Sequence, residues 1–148
     1  MASDSDCRFC QIESEVPPRG FLFQNEYWSV GAHPNTAVPG WLVAHLRRHA
    51  PGLVDMSQAE LASMGPTLAL VARAMTAVLQ PERIYFVHFG ENYRHVHVVL
   101  MPRGAEVPPE HRSAGLHVNS KRYLDPARAK TVAEEIGRAI AEGSVGDG

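Results

Sequence analysis

The sequence is poor in cysteine: Cys7 and Cys10 are the only two in 148 residues. A disulfide framework is thereby excluded, and the fold must rest on a buried core, for which a chain of this length suffices. An excess of charge of either sign is lacking too. Fourteen Lys and Arg against 16 Asp and Glu leave a formal net charge of −2, so no broad field draws the chain to nucleic acid or to a membrane, and neither is expected as a partner. Any affinity for phosphate has to be local. No apolar run approaches the ~18 residues of a membrane span, and Met1 to Asp6 is polar and acidic where a signal peptide has a basic start and an apolar centre. The expected location is cytoplasmic, where a pair of thiols reads as a metal or redox motif rather than a bridge. No internal repeat or low-complexity tract is present. A single domain over 1–148 is expected, with an ordered core at about 7–141 and disordered termini.

Within that frame the patterning alternates between strand and helix. Phe21 to Gln24 and Tyr27 to Ala32 are short aromatic and β-branched runs separated by Asn25-Glu26, which predicts a hairpin. His33 to Gly40, with two prolines and a glycine, predicts a loop, and Trp41 to Leu46 a third strand. Ser57-Gln58-Ala59-Glu60 has capping-box spacing and should start a helix. Leu61, Met64, Leu68, Val71, Met75 and Val78 give that helix one apolar stripe, Gly65-Pro66 is a point for a kink, and Pro81 ends the pattern. Arg83 to Phe89 and Arg94 to Met101 read as antiparallel strands, residues 104 to 122 as irregular, and Asp125 to Ala141 as a second helix. The order argues for an α+β domain: an antiparallel sheet with a long helix and a C-terminal helix packed on it.

The densest chemical signal is His95-Val96-His97-Val98-Val99-Leu100-Met101-Pro102-Arg103. Strand period two puts His95, His97 and Val99 on one face and Val96, Val98 and Leu100 on the other. Two imidazoles on one face suit metal or phosphate chemistry, and the competing reading is a merely polar face. Cys7-Arg8-Phe9-Cys10 has the spacing for two thiolates on one tetrahedral zinc, which would need two nitrogen ligands from elsewhere. A redox role would require this motif at the start of a helix in a βαβ unit, whereas here it precedes a hairpin; unliganded cysteines are the third reading.

From Cys7 to Arg103 the chain resembles the histidine-triad (HIT-like) proteins, whose hallmark is His-φ-His-φ-His-φ-φ on a strand, often followed by Pro-Arg as at Pro102-Arg103. Pro39-Gly40 before a strand, and Arg47-Arg48-His49 after it, match the same pattern. The resemblance implies zinc on Cys7, Cys10, His49 and His95, as in many bacterial members and in the related galactose-1-phosphate uridylyltransferases. It implies that His97 attacks the α-phosphate of a nucleotide or nucleotide conjugate, with Asn92 as a polar phosphate contact. It also implies a twofold homodimer.

Three positions depart from the family pattern. Val99 stands where the third histidine belongs, and can neither give a proton nor hydrogen-bond a phosphate. Trp41 replaces a further active-site histidine, and His33 an acidic residue that contacts the ribose hydroxyls. Trp41, His33 and Val99 therefore join Asn92 as candidate substrate-binding residues. His45, His88, His111 and His117 read as surface or satisfied core residues, with His88 singled out because it lies beside the site. Arg94 and Arg103 add positive charge at the ends of the strand. The leading expectation is a nucleotide hydrolase or nucleotidyltransferase working through His97. The alternative is a non-catalytic nucleotide-binding or regulatory module.

Overall fold

The structure, a computed structural model, describes residues 4–16 and 20–143. The expected hairpin forms from β1 (Phe23–Gln24) and β2 (Trp28–Ala32). Asn25 closes it: its side-chain oxygen accepts the backbone N–H groups of Tyr27 at 3.0 Å and Trp28 at 2.8 Å, a local acceptor that makes asparagine a good turn residue. β3 (Leu42–Leu46) is buried at every position, so it runs through the middle of the molecule rather than along a surface. With β4 (Arg83–Val87) and β5 (His97–Arg103) it completes a five-stranded antiparallel sheet of order β1-β2-β3-β5-β4. Trp41 sits just before β3 and the buried His95 just before β5, so both expected strands begin later than their hydropathy suggests.

On one face of the sheet, Trp28, Val30, Leu42, Leu46 and Leu100 meet Val71 and Met75 of α2 (Gln58–Leu79) and Val132 and Ile136 of α4 (Pro126–Ala141) in one apolar cluster. Such burial, at ~25 cal/mol per Å², is the main favourable term of the fold. The predicted capping box is present: Ser57 Oγ accepts the Glu60 N–H at 3.1 Å and Glu60 accepts the Ser57 N–H at 2.8 Å. The buried stripe of α2 is centred on Val71 and Met75, but Leu61 is exposed and Thr67 and Glu60 are buried instead. α2 runs unbroken through Pro66 and ends where Gln80 turns left-handed at φ 49° ahead of Pro81. Its length and apolar composition reach those of a bilayer span, contrary to the residue-by-residue count, because Ala, Gly and Thr interrupt the apolar runs without making the helix polar.

The opposite face differs most from expectation. The Cys7-to-Cys10 segment, for which no helix is expected from the sequence, starts one: Cys7 occupies the N-cap position of α1 (Arg8–Glu13), whose Phe9 and Ile12 pack with Val43 on the sheet. The cysteines do sit at a helix start, but one that leads into an antiparallel hairpin, not a βαβ unit. Residues 104–122 are also more regular than they read, with α3 (Ala114–Val118) between short 3₁₀ turns at Pro109–His111 and Ser120–Tyr123. Among the expected tail residues Glu142 and Gly143 close α4, and 144–148 lie outside the described residues, as do 1–3 at the other terminus.

Glu60 ties the start of α2 to the segment after β3, since Arg48 donates to both of its carboxylate oxygens, at 2.8 to 3.2 Å. That guanidinium, with the Ser57 N–H and hydroxyl, holds the buried carboxyl down to about 2. A carboxyl with a depressed folded-state pKa contributes stability that is complete above its unfolded value, ~4.3, and is lost as pH falls toward about 2. Glu60→Gln is therefore expected to cost about 1–2 kcal/mol in denaturant unfolding at pH 7 and much less at pH 2.5. A cost independent of pH would contradict the assignment.

Candidate functional site

Two side-chain groupings meet along β5. The first is Cys7, Cys10, His49 and His95, whose sulfur and nitrogen atoms all lie within 4.8 Å of one another. His95 is fully buried, and its Nε2–H donates to the Leu46 carbonyl at 2.5 Å. That bond fixes the tautomer and leaves the Nδ1 lone pair facing inward, 3.3 Å from Cys7 Sγ, 3.7 Å from Cys10 Sγ and 3.3 Å from His49 Nδ1. Cys10 Sγ is 3.4 Å from His49 Nδ1. Tetrahedral bonds of ~2.0 Å to nitrogen and ~2.3 Å to sulfur have edges of roughly 3.3–3.8 Å, so these four of the six separations fit a tetrahedron around one ion, and the other two lie within 4.8 Å. Burial pushes His95 down to about 4, with His45 and His49 adding to the effect, so at neutral pH the ring offers its lone pair. The four residues expected to share an ion are thus brought together in a set able to hold one.

The second grouping surrounds His97, two residues on. Its Nδ1–H donates to the His95 carbonyl at 2.6 Å. The proton is therefore on Nδ1, and Nε2 carries the free lone pair. Burial lowers the His97 pKa, opposed by that backbone bond and reinforced by His88. His97 lines a pocket of about 380 Å³ together with His33, Trp41, Asn92 and Val99, so the pocket gathers every candidate substrate-binding residue. His33 is pushed down to about 4 by burial and by the facing His117 and His97, and its Nδ1 accepts the Asn35 N–H at 3.2 Å. Its Nε2 therefore carries the proton and is a neutral donor. Trp41 is buried, its ring 6.0 Å from that of His33.

Other residues in and around the site gave no warning in the sequence. Phe9, between the two cysteines, stacks on His97 with ring centres 4.8 Å apart and 30° between planes, and also touches the rings of His45, His95 and Tyr93. Nothing in a Cys-X-X-Cys spacing points to the residue inside it. Tyr93 accepts from the Asn35 amide at 3.2 Å, and His117, exposed as its surface reading expects, also lines the pocket, with its ring 5.6 Å from Phe89. His88 packs edge-on against His97 at 5.1 Å, in keeping with its placement beside the site. His45 is a satisfied core residue, 2.9 Å from Glu13, which also accepts from Ser29 and pairs with Arg47. Arg103 is buried and held by Glu82 and Tyr85, so it is a structural cation and not a phosphate contact. Arg94 is exposed.

No family profile and no curated protein sequence matches the chain. Solved structures do. A hypothetical histidine triad nucleotide-binding protein from Sulfolobus tokodaii superposes with a TM-score of 0.72 at 15% identity, over 93% of this chain and 94% of that one. A zinc-bound histidine triad family protein from Mycobacterium smegmatis gives 0.70 at 16% identity, covering 98% of this chain and 100% of that one. The Plasmodium falciparum diadenosine triphosphate hydrolase, in complex with cyclomarin A, gives 0.62 at 12% identity over 82% of this chain and 76% of that one. Identities this low speak to architecture alone, and the architecture of this chain is that of the histidine-triad proteins.

Proposed function

We propose that this is a nucleotide-binding protein that transfers a nucleotidyl group through His97, with zinc held by Cys7, Cys10, His49 and His95. The observation that carries the reading is the tautomer of His97: Nδ1–H is committed to the His95 carbonyl, so the unprotonated Nε2 belongs to a ring that lines the pocket. A neutral imidazole so oriented is a competent nucleophile toward phosphorus. Its lone pair forms an N–P bond to the α-phosphate of a nucleotide conjugate while the bond from phosphorus to the departing group breaks. Water or another acceptor then takes the nucleotidyl group and returns the electron pair to Nε2. Asn92, the Nε2–H of His33 and the buried indole N–H of Trp41, which has no partner among the described residues, are among the neutral donors that line the pocket and suit phosphoryl oxygens. Zinc, when bound, supplies structure rather than a reaction step, fixing α1 and with it Phe9 over His97.

The names of the structural neighbours, nucleotide-binding, zinc-bound and diadenosine triphosphate hydrolase, are consistent with this reading. A cytoplasmic location and a twofold dimer belong to it as well, on the strength of the composition and the resemblance. Val99 supports the second reading, a binding module without turnover, because valine cannot act as the third histidine. The test is incubation with adenylylated amines, acids and dinucleotides, followed by intact-protein mass spectrometry. A nucleotidyl adduct on His97 is the expected result. Nucleotide binding by calorimetry, with neither adduct nor turnover on any compound, would establish the binding module instead.

A further inference from the structure

A second cavity, of about 710 Å³, shares a single lining residue with the His97 pocket, Trp41. Its size suits a small-molecule site. Much of its wall comes from the segment between β5 and α4, which is held in place by side chains. Val107 and Leu116 are buried in one cluster with Val38, Trp41 and Met101. Arg112 Nε donates to the Val107 carbonyl at 2.9 Å, and His111 Nδ1 lies 2.7 Å from the Tyr123 hydroxyl. The Asp125 N–H donates to the Ala37 carbonyl at 2.9 Å, tying the start of α4 to the loop before β3. Pro39, Leu79, Pro81 and Pro102 complete an apolar lining, and Leu124 is left 49% exposed beside it.

The polar part of the lining is Gln80, Glu106, Arg122, Asp125 and Arg128. Both arginines are exposed, and neither guanidinium has a hydrogen bond or an ion pair among the described residues. The two acids are placed differently. Asp125 is committed as the N-cap of α4, its carboxylate accepting the Arg128 N–H at 3.1 Å. The Glu106 carboxylate is folded back onto Gly104, where a Cβ would otherwise stand. Residues 109–130 carry five Lys and Arg against two Asp and Glu, in a chain whose net charge is −2. An apolar cavity with two unpaired guanidinium groups beside it is matched by a ligand with an apolar body and an anionic head.

Independently of the nucleotidyl-transfer reading, we propose that this cavity binds an organic monocarboxylate with an apolar chain, of the medium-chain fatty acid class. The carboxylate accepts charge-assisted hydrogen bonds from Arg122 and Arg128, whose forked N–H groups match its two oxygens. The chain displaces water from Val107, Leu116, Pro102 and Trp41, which is favourable in proportion to the apolar area covered. Glu106 and Asp125 set the charge of the head. A dianion such as a phosphate monoester would meet their repulsion with twice the charge, whereas one carboxylate is balanced by the two arginines.

Calorimetry on the full chain with decanoate, decyl phosphate and decanol, each below its micellar concentration, is the test. Decanoate should bind saturably at one site per chain, with decyl phosphate and decanol at least ~10-fold weaker. Replacing both exposed arginines, Arg122→Ala with Arg128→Ala, leaves the core untouched and should weaken decanoate by ~10-fold or more without changing decanol. Ala105→Trp, at an exposed position of the lining, should block both. Decanoate should also shift the emission of Trp41, whereas Trp28 lies in the separate core under α2 and α4. His97→Asn should bind decanoate as the wild type does, so that loss of the nucleotidyl-transfer reading would leave this site standing. No saturable binding, decanol or decyl phosphate as tight as decanoate, or unchanged affinity in the double arginine variant would overturn the inference. Loss of decanoate binding in His97→Asn would do so as well, by placing the ligand in the other pocket.

Discussion

Cys10→Ser is expected to release the metal and to lower the melting temperature by on the order of 10 °C. Serine cannot replace a thiolate as a zinc ligand, and the remaining three donors would be left around an incomplete site. Structural zinc contributes folding free energy directly, so even ~4 kcal/mol lost would shift the midpoint by roughly 10 °C in a chain of this length. Metal content by atomic absorption, beside thermal unfolding with and without chelator, checks it. One metal per chain is expected in the wild type and none in the variant, and chelator should destabilise only the wild type. Unchanged stability in both experiments would leave the four side chains as an ordinary polar cluster. The same variant has a consequence at His97: Phe9 lies between the two cysteines and rests on that imidazole at 4.8 Å. Freeing α1 should therefore loosen the His97 ring without touching it chemically.

This link was invisible in the sequence, and the reason is physical. The strands, the capping box and the two long helices are written in local periodicity, which needs only neighbouring residues to be read. β3 can be placed because its apolar run follows Pro39-Gly40, whereas β5 runs on through Pro102, which pairs with Ile84. The ligand set became readable only through the resemblance, since nothing local ties His49 to Cys10, 39 residues away. Phe9, His117 and Glu13 enter through tertiary packing alone. α1 was missed because six residues hold too little periodicity, and its contacts are with strands far away in the chain. Arg103 shows the converse: in the sequence it reads only as positive charge at the end of the motif strand, yet Glu82, just before the neighbouring strand, already holds it in a buried pair. His33 and Trp41 could be named as candidates but not given roles, because those depend on which ring nitrogen carries the proton and on which side chains face each other.

His97→Asn is expected to abolish adduct formation and to lower turnover by at least ~10⁴-fold, while nucleotide binding stays within about one order of magnitude. The amide can still occupy the polar corner below the His95 carbonyl, but it has no nucleophilic lone pair to form an N–P bond. Binding draws on other groups around the pocket, among them Asn92, His33 and Trp41, which the substitution leaves in place. A complication is that asparagine also removes the ring on which Phe9 stacks, so part of any loss could come from disorder of α1. His97→Gly separates the two effects. It removes the ring as well, but leaves a space that free imidazole can enter. Added imidazole should restore turnover, with a rate that saturates in imidazole concentration, and the nucleotidyl group should appear on the added imidazole and not on the protein. Recovery of stability without recovery of turnover would show that the ring is needed for packing only. An adduct persisting in His97→Asn would place the nucleophile elsewhere, and the edge-on neighbour His88, 5.1 Å away, would be the first residue to replace.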